Sequence, residues 1–195
     1  MKEKFLNSSL SYIKRTRNLD HYNEVKIKYG LEVLYHFLTK LIFIVTLSII
    51  LKIYKEVLLM ILFYAPLRAC VHGIHSNSNI GCWISTIIDY ILFGLYIKYI
   101  PIYFNVFLII SLLTIISYLL YAPADTKFRP LVGEKNRIRL KILAIIILII
   151  EFTTGYFVRQ LIPYVFYSFV ITSIIINPAL YFITKNKVNN YKNYN

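Results

Sequence analysis

Long apolar stretches, separated by short charged ones, constrain this chain more than any other feature. Of its 195 residues, 58% are hydrophobic and 16% are charged, whereas about a quarter of the residues in soluble domains are charged. A helix needs roughly 20 apolar residues to cross about 30 Å of hydrocarbon. The sequence therefore predicts an all-α polytopic membrane protein with about six transmembrane helices. The candidate spans are residues 37–54, 57–67, 83–97, 102–121, 142–158 and 161–183, of which 57–67 is short enough to be tilted or re-entrant.

The basic residues predict how these spans are oriented. If all six cross, one side of the membrane holds 17 lysine and arginine residues and the other side holds 4. Because basic residues accumulate on the cytoplasmic side, both termini and residues 68–82 are expected in the cytoplasm, with the chain embedded in the cell membrane. The net charge of +13 is carried at the ends of apolar stretches, so it predicts a lipid bilayer as the partner and disfavours nucleic acid.

The chain divides into three parts by composition. Residues 1–30 are polar and basic and contain no apolar core of a signal peptide. Apolar side chains with loosely helical spacing make this part either an interfacial cytoplasmic segment or a solvated basic tail. Residues 31–183 form the predicted transmembrane domain, and residues 184–195 form a basic cytoplasmic tail.

The reactive side chains of the sequence are concentrated in residues 68–82. This stretch contains an arginine, two cysteines and two histidines: Arg68, Cys70, His72, His75 and Cys82. Polar groups are costly near a bilayer, so such a cluster is a candidate functional site. The pair of His75 and Cys82 has the residue types of a cysteine protease, and Ser78 and Asn79 are good N-caps for a helix that contains Cys82.

The His75–Cys82 hypothesis makes a structural demand. In one unbroken helix, seven residues rise about 10 Å, which is too far for a hydrogen bond between the two side chains. The chain must therefore break between them. Residues 76–79 and Gly81 have the composition of such a break.

Other interpretations of the same residues remain open. His75 and Cys82 can be ordinary interfacial residues, with Cys82 packed as a small hydrophobe. A zinc site fits the ligand types but no common ligand spacing, so no metal or cofactor is expected. A transporter or exporter subunit is the alternative from a different functional class, and a membrane scaffold without chemistry is a third. The transporter would depend on ionisable residues near the membrane, which are Glu151, Asp89 and the stripe of Glu32, His36 and Lys40.

Two patches of the sequence resemble the accessory gene regulator B (AgrB) family of membrane cysteine peptidases, which process quorum-sensing propeptides. The first patch comprises Arg68, the run Gly73-Ile74-His75, and Cys82; the second is residues 121–126, followed by Arg129-Pro130. With length and span count included, the resemblance covers the chain from about residue 30. Two departures affect the expected substrate specificity: the family pattern often has a second glycine at the position of His72 and an alanine at that of Ser76.

The resemblance implies a function and a role for each site residue. Residues 31–183 would be a transmembrane peptidase domain in which Cys82 is the nucleophile and His75 the general base. An AgrD-like propeptide would be cleaved at the cytoplasmic face through an acyl-thioester and cyclised to a lactone or thiolactone, and a homodimer is compatible with the family. Gly73 would support the site. Arg68 would bind substrate, support the oxyanion or anchor the interface, and Asp125 would orient His75 or cap a turn.

Overall fold

The computed structural model describes residues 2–16, 20–74, 76, 78–126, 131 and 133–184. The chain falls into two compact units, Met1–Leu47 and Ser48–Asn195. Within the described residues the structure is helical, and its β-pairing is an isolated parallel bridge between His72 and Ala124. The predicted all-α class is confirmed for this part of the chain. The predicted tail, residues 184–195, lies outside it except for Thr184.

The first unit contains α1 (Lys2–Thr16) and most of α2 (His21–Ile50). The side chain of Asp20 caps α2, because its Oδ1 accepts a hydrogen bond from the backbone N–H of Asn23 at 3.1 Å. Lys14 Nζ lies 2.7 Å from Glu24 Oε1, and Lys2 pairs with Glu32. Lys2, at the start of α1, thus pairs with the later position on α2, and Lys14, near the end of α1, pairs with the earlier one. The two helices therefore form an antiparallel hairpin. This gives Glu32 an ion-pair partner within its own unit.

The second unit is a bundle of helices that share one apolar core. Its helices are α3 (Tyr54–Val71), α4 (Asn79–Ile87), α5 (Phe93–Tyr99), α6 (Phe104–Tyr121), α7 (Glu134–Phe157), α8 (Ile162–Ile176) and α9 (Pro178–Ile183). A π-helical turn, Ile88–Leu92, joins α4 to α5, and a 3-10 turn, Arg159–Leu161, precedes α8. Helix α8 packs against α3 and α6, and α3 also packs against α7. The buried core includes Met60, Leu67, Phe107, Tyr118 and Phe169.

Polar side chains are buried between these helices and find partners across them. The Tyr118 hydroxyl donates to Thr172 Oγ1 at 2.7 Å, and Ser173 Oγ donates to Thr114 Oγ1 at 3.1 Å. Such bonds join α6 to α8, and in hydrocarbon they are a main source of helix–helix specificity. Glu151 on α7 is 3% exposed and lies beside Ser168 of α8, so the bundle interior holds a carboxyl group.

Five of the described helical segments are long and apolar enough to cross a membrane: residues 21–50, 80–99, 104–121, 134–157 and 159–176. This supports a polytopic membrane protein. Helix α3, which contains the short predicted span 57–67, is not among the five. It has 18 residues and carries Lys55, Glu56 and Arg68, so its status as a sixth span stays a prediction, as does the orientation of the termini.

The structure corrects the ends of two predicted spans. Helix α2 ends at Ile50 rather than continuing to residue 54, because Lys52 has φ +58° and the N–H of Ile53 bonds the carbonyl of Ser48. This is the hydrogen-bond pattern of a helix C-terminus. The predicted span 161–183 is not continuous, since α8 ends at Ile176 and Pro178 begins α9.

Candidate active site

The chain leaves the helix between the two members of the predicted dyad. Helix α3 ends at Val71 and α4 begins at Asn79. The break that the His75–Cys82 hypothesis requires is therefore present. His75 itself lies outside the described residues, so its approach to Cys82 remains a prediction.

Cys82 lies in the first turn of α4. Ser78 is the N-cap, with φ −126° and ψ 149°, and its Oγ accepts a hydrogen bond from the N–H of Gly81 at 3.0 Å. The N–H of Cys82 donates to the Ser78 carbonyl at 3.0 Å. The side chain of Cys82 is partly exposed. A helix N-terminus carries partial positive charge, and Cys82 lies at this end of α4.

Cys70 has a different environment. It lies near the end of α3, past the apolar stretch 57–67, and is 8% exposed. Burial raises the pKa of its thiol above the ordinary value, because an apolar environment disfavours the charged thiolate. Of the two cysteines, Cys82 thus has the environment of a nucleophile and Cys70 that of a core residue.

The segment after α3 is fixed by backbone hydrogen bonds to two distant parts of the chain, and we call this meeting point the junction. It comprises residues 71–74, residues 122–126 and the end of α8. The N–H of Ala124 donates to the Val71 carbonyl at 3.0 Å, and the N–H of Gly73 donates to the Ala124 carbonyl at 2.7 Å. The N–H of Ile74 donates to the Ile175 carbonyl at 3.0 Å. The two patches that carry the family resemblance therefore meet in space.

The junction requires an unusual backbone at two neighbouring positions. His72 has φ +58° and Gly73 has φ +85°, a region that side chains with a Cβ rarely adopt. At Gly73 the restriction is also steric, since a Cβ would lie 2.6 Å from the Ile175 carbonyl oxygen. At His72 the chain tolerates the strain, and the ring Nδ1 lies 3.3 Å from the Cys70 carbonyl.

Substituting Gly73 tests the importance of the junction. We expect Gly73→Ala to destabilise the protein by about 1 to 3 kcal/mol, the usual cost of such backbone strain, and to reduce activity because the segment before His75 moves. The midpoint of thermal unfolding in detergent measures the first effect. The matched variant, His72→Gly, relieves the strain at the neighbouring position and should be at least as stable as the unmodified chain. Equal stability of the Gly73→Ala protein and the unmodified one would show that the junction is not formed as described.

Arg68 binds the same segment from the last turn of α3. Its Nη2 donates a hydrogen bond to the Ile74 carbonyl at 2.7 Å. The carbonyl of Ile74 belongs to the peptide bond that leads to His75. The structure therefore gives Arg68 a contact inside the site region that a plain membrane-interface anchor does not need.

Asp125 is buried in the junction and is 2% exposed. Its backbone carbonyl accepts a hydrogen bond from the Tyr181 hydroxyl of α9 at 3.2 Å. The preceding residue, Ala124, pairs with His72 in the parallel bridge. Asp125 therefore directly follows the residue that pairs with the segment leading to His75. Its role as an orienting group stays a prediction.

The chain on the other side of His75 is packed against the start of α4. Gly81 lies so close to the side chain of Ser76 that a Cβ at position 81 would overlap Ser76 Oγ. Ser76 Oγ also donates to the Ser78 carbonyl at 3.3 Å. One neighbour of His75, Ile74, is therefore fixed to α3 and α8, while the other, Ser76, contacts the residue beside Cys82. This placement is the structural basis for considering His75 and Cys82 together.

The competing interpretations of these residues stay hypotheses. Among them, no three histidine, cysteine, aspartate or glutamate side chains are grouped to hold a metal ion, although the proposed zinc ligands include His75, which lies outside them. Asp89 lies in the π-helical turn, where its backbone carbonyl accepts a hydrogen bond from the Tyr167 hydroxyl.

Sequence reasoning missed the part that the end of α8 plays in the site. Ile175 and Tyr181 contribute a carbonyl and a hydroxyl to the junction, yet both lie in apolar stretches that looked like membrane span. The pair Asn177-Pro178 was the available signal, because a proline one or two residues after a helix marks its end. The Asn177 side chain caps α9, with its Oδ1 2.9 Å from the N–H of Ala179.

Comparison with known proteins gives a consistent result. The family model described as Accessory gene regulator B matches residues 6–186. The accessory gene regulator protein B of Staphylococcus epidermidis is 33% identical over 196 residues, which cover 98% of each chain. The protein of the same name from Staphylococcus aureus (strain JH9) is 30% identical over 121 residues, covering 62% of this chain and 65% of the other. No solved structure matches significantly. The chain belongs to the accessory gene regulator B family.

Proposed function

We propose that this protein is an integral-membrane cysteine endopeptidase that processes a short quorum-sensing propeptide of the AgrD type. The observation that carries this proposal is the environment of Cys82: a partly exposed thiol in the first turn of a capped helix, directly after a chain break. Family membership supports the same conclusion. The active site is proposed to face the cytoplasm of a bacterial cell, because the basic residues are concentrated on that side.

In the proposed first step His75 accepts the proton of the Cys82 thiol. The thiolate attacks the carbonyl carbon of one peptide bond, a carbon–sulfur bond forms, and the carbon–nitrogen bond breaks. The departing amine takes the proton from His75. The N-terminal part of the propeptide is then held on Cys82 as an acyl-thioester, while the C-terminal part is free.

In the proposed second step a thiol or hydroxyl of the bound peptide attacks the same carbonyl carbon. The bond to Cys82 breaks, a ring closes as a thiolactone or lactone, and the proton of the attacking group returns to Cys82. Exchange of one thioester for another conserves the acyl energy that hydrolysis would lose. A site that excludes water favours the internal nucleophile, and orientation of the bound peptide can contribute a very large effective molarity.

Supporting roles are proposed for residues of the junction. Gly73 permits the close approach of residues 72–74 to the end of α8. Asp125 has a buried carboxyl group and directly follows Ala124, the residue that pairs with His72. A homodimer and a surrounding lipid bilayer are part of the proposal. The peptidase chemistry uses the side chains of the protein itself and calls for no metal or cofactor.

One experiment separates this function from the transporter alternative. The purified protein in liposomes is mixed with a synthetic propeptide, and cleavage is followed by mass spectrometry. We expect Glu151→Gln to keep its cleavage activity, because the change preserves the shape of a buried side chain that takes no part in the proposed chemistry. Cys82→Ser should lose cleavage. A serine hydroxyl is a weaker nucleophile than a thiol and needs more activation by a neighbouring base. Transport of intact peptide across the liposome membrane that Cys82→Ser retains and Glu151→Gln loses would instead favour a transporter in which Glu151 is essential.

A further inference from the structure

The hydrogen bond from Arg68 to the Ile74 carbonyl is not used by any step of the proposed reaction. Nη2 of Arg68 lies 2.7 Å from this oxygen, and the carbonyl is one covalent bond away from the nitrogen of His75. We propose that Arg68 is a positioning residue that fixes the peptide bond before His75. The inference rests on the proposed function, in which His75 is the general base.

The surroundings of Arg68 suit a fixed side chain. It is half-buried at the end of α3, with the Tyr64 hydroxyl one helical turn earlier as a neighbour. The charged and titratable groups that act on it come from several elements: Tyr64 from α3, Asp89 and Tyr90 from the π-helical turn, and Tyr181 from α9. An arginine has a planar group with five donors, so one nitrogen can bind the carbonyl while others face the acidic and hydroxyl groups.

The π-helical turn explains how a carboxylate is placed there. The turn Ile88–Leu92 packs against α3, and π-helical turns within α-helices are frequent at functional sites. A widened turn disturbs the normal pattern of carbonyl partners, and here the Tyr167 hydroxyl of α8 donates to the Asp89 carbonyl. Asp89 is partly buried, and Arg68 is the cation whose field acts on its carboxylate. The turn therefore places a carboxyl group on an element that packs against α3, the helix that carries Arg68.

The result is a line of contacts that ends at the proposed base. Arg68 of α3 binds the Ile74 carbonyl at 2.7 Å, and the Ile175 carbonyl of α8 accepts a hydrogen bond from the Ile74 N–H at 3.0 Å. Both peptide groups of Ile74 are thus fixed to helices. A general base works only within hydrogen-bond reach of its proton, so loss of this restraint is expected to reduce the activation of Cys82 without removing any reacting group.

The test measures how fast Cys82 reacts with iodoacetamide in the absence of propeptide. Site-resolved mass spectrometry follows the modification of the full-length protein across pH. At neutral pH we expect Arg68→Gln to slow the modification about tenfold or more, the scale of a lost hydrogen bond from a charged donor.

A matched control is available on another helix. Lys98 Nζ donates to the Lys52 carbonyl at 2.8 Å, so Lys98→Gln removes a comparable cation-to-carbonyl bond away from the junction and should leave the rate unchanged. At alkaline pH, where any accessible thiol ionises, all variants should react at similar rates. A variant that had merely unfolded would instead differ from the unmodified protein across the whole pH range.

The outcomes separate this inference from the function on which it rests. If His75→Ala slows the modification and Arg68→Gln does not, the positioning role is wrong and the peptidase proposal stands. If His75→Ala itself reacts as fast as the unmodified protein, His75 does not activate Cys82 and the proposed function fails first.

Discussion

Replacing Cys82 by alanine is expected to abolish cleavage of a propeptide, with a fall in rate of at least roughly a thousandfold, as for other proteases that lose their nucleophile. The reason is chemical: no sulfur remains to form the acyl-thioester. The substitution should not disturb the fold, because Cys82 is partly exposed and alanine is a good helix former. Cleavage by membranes that contain equal amounts of each protein is the measurement.

Cys70→Ala is the matched control for this prediction. Both cysteines are free, but Cys70 is buried in the core, so its substitution should affect stability more than chemistry. We expect cleavage to continue once the amount of folded protein is equalised. Cleavage that survives in Cys82→Ala and disappears in Cys70→Ala would assign the nucleophile to the other cysteine.

Replacing His75 by alanine is expected to lower the cleavage rate by about 10² to 10⁴, the usual contribution of a general base. The defect should shrink as pH rises, because hydroxide then deprotonates the Cys82 thiol without help from an imidazole. The measurement is the pH dependence of cleavage for the unmodified and the substituted protein. A loss that is equally large at every pH would indicate a structural role for His75 instead of proton transfer.

Local sequence signals predicted the parts of the structure that depend on local physics. The helical class follows from the apolar stretches, and the start of α4 follows from Ser78, whose hydroxyl caps the helix as its residue type indicates. The break before Cys82 was required because seven residues of an unbroken helix rise about 10 Å, and this break is present. These features depend on residues within a few positions of each other, so composition and spacing suffice to find them.

Contacts between distant parts of the chain were not predictable in this way. The Ile74 N–H bonds the Ile175 carbonyl, about a hundred residues later, and nothing in either stretch indicates the other. The glycine at position 73 signalled an unusual backbone, but the partner that makes the glycine necessary is visible only in the structure. The same holds for Arg68, whose charge suggested a membrane interface while its hydrogen bond is to the Ile74 carbonyl.

The two corrected span ends have a related cause. Hydropathy does not distinguish a helix from an apolar turn, so residues 51–53 and 177–183 were counted as parts of spans. The helices end earlier because of backbone geometry: a positive φ at Lys52 and a proline at position 178. For α8 the correction has a functional consequence, since its early end puts the Ile175 carbonyl at the junction.

The central claim is tested most directly by the mass of the protein after brief mixing with an excess of synthetic propeptide. We predict a covalent adduct equal to the N-terminal part of the propeptide, located on Cys82, released by hydroxylamine as a thioester should be, and absent from Cys82→Ala. Cleaved propeptide without any adduct on Cys82, or an adduct of the same mass on Cys82→Ala, would contradict the mechanism.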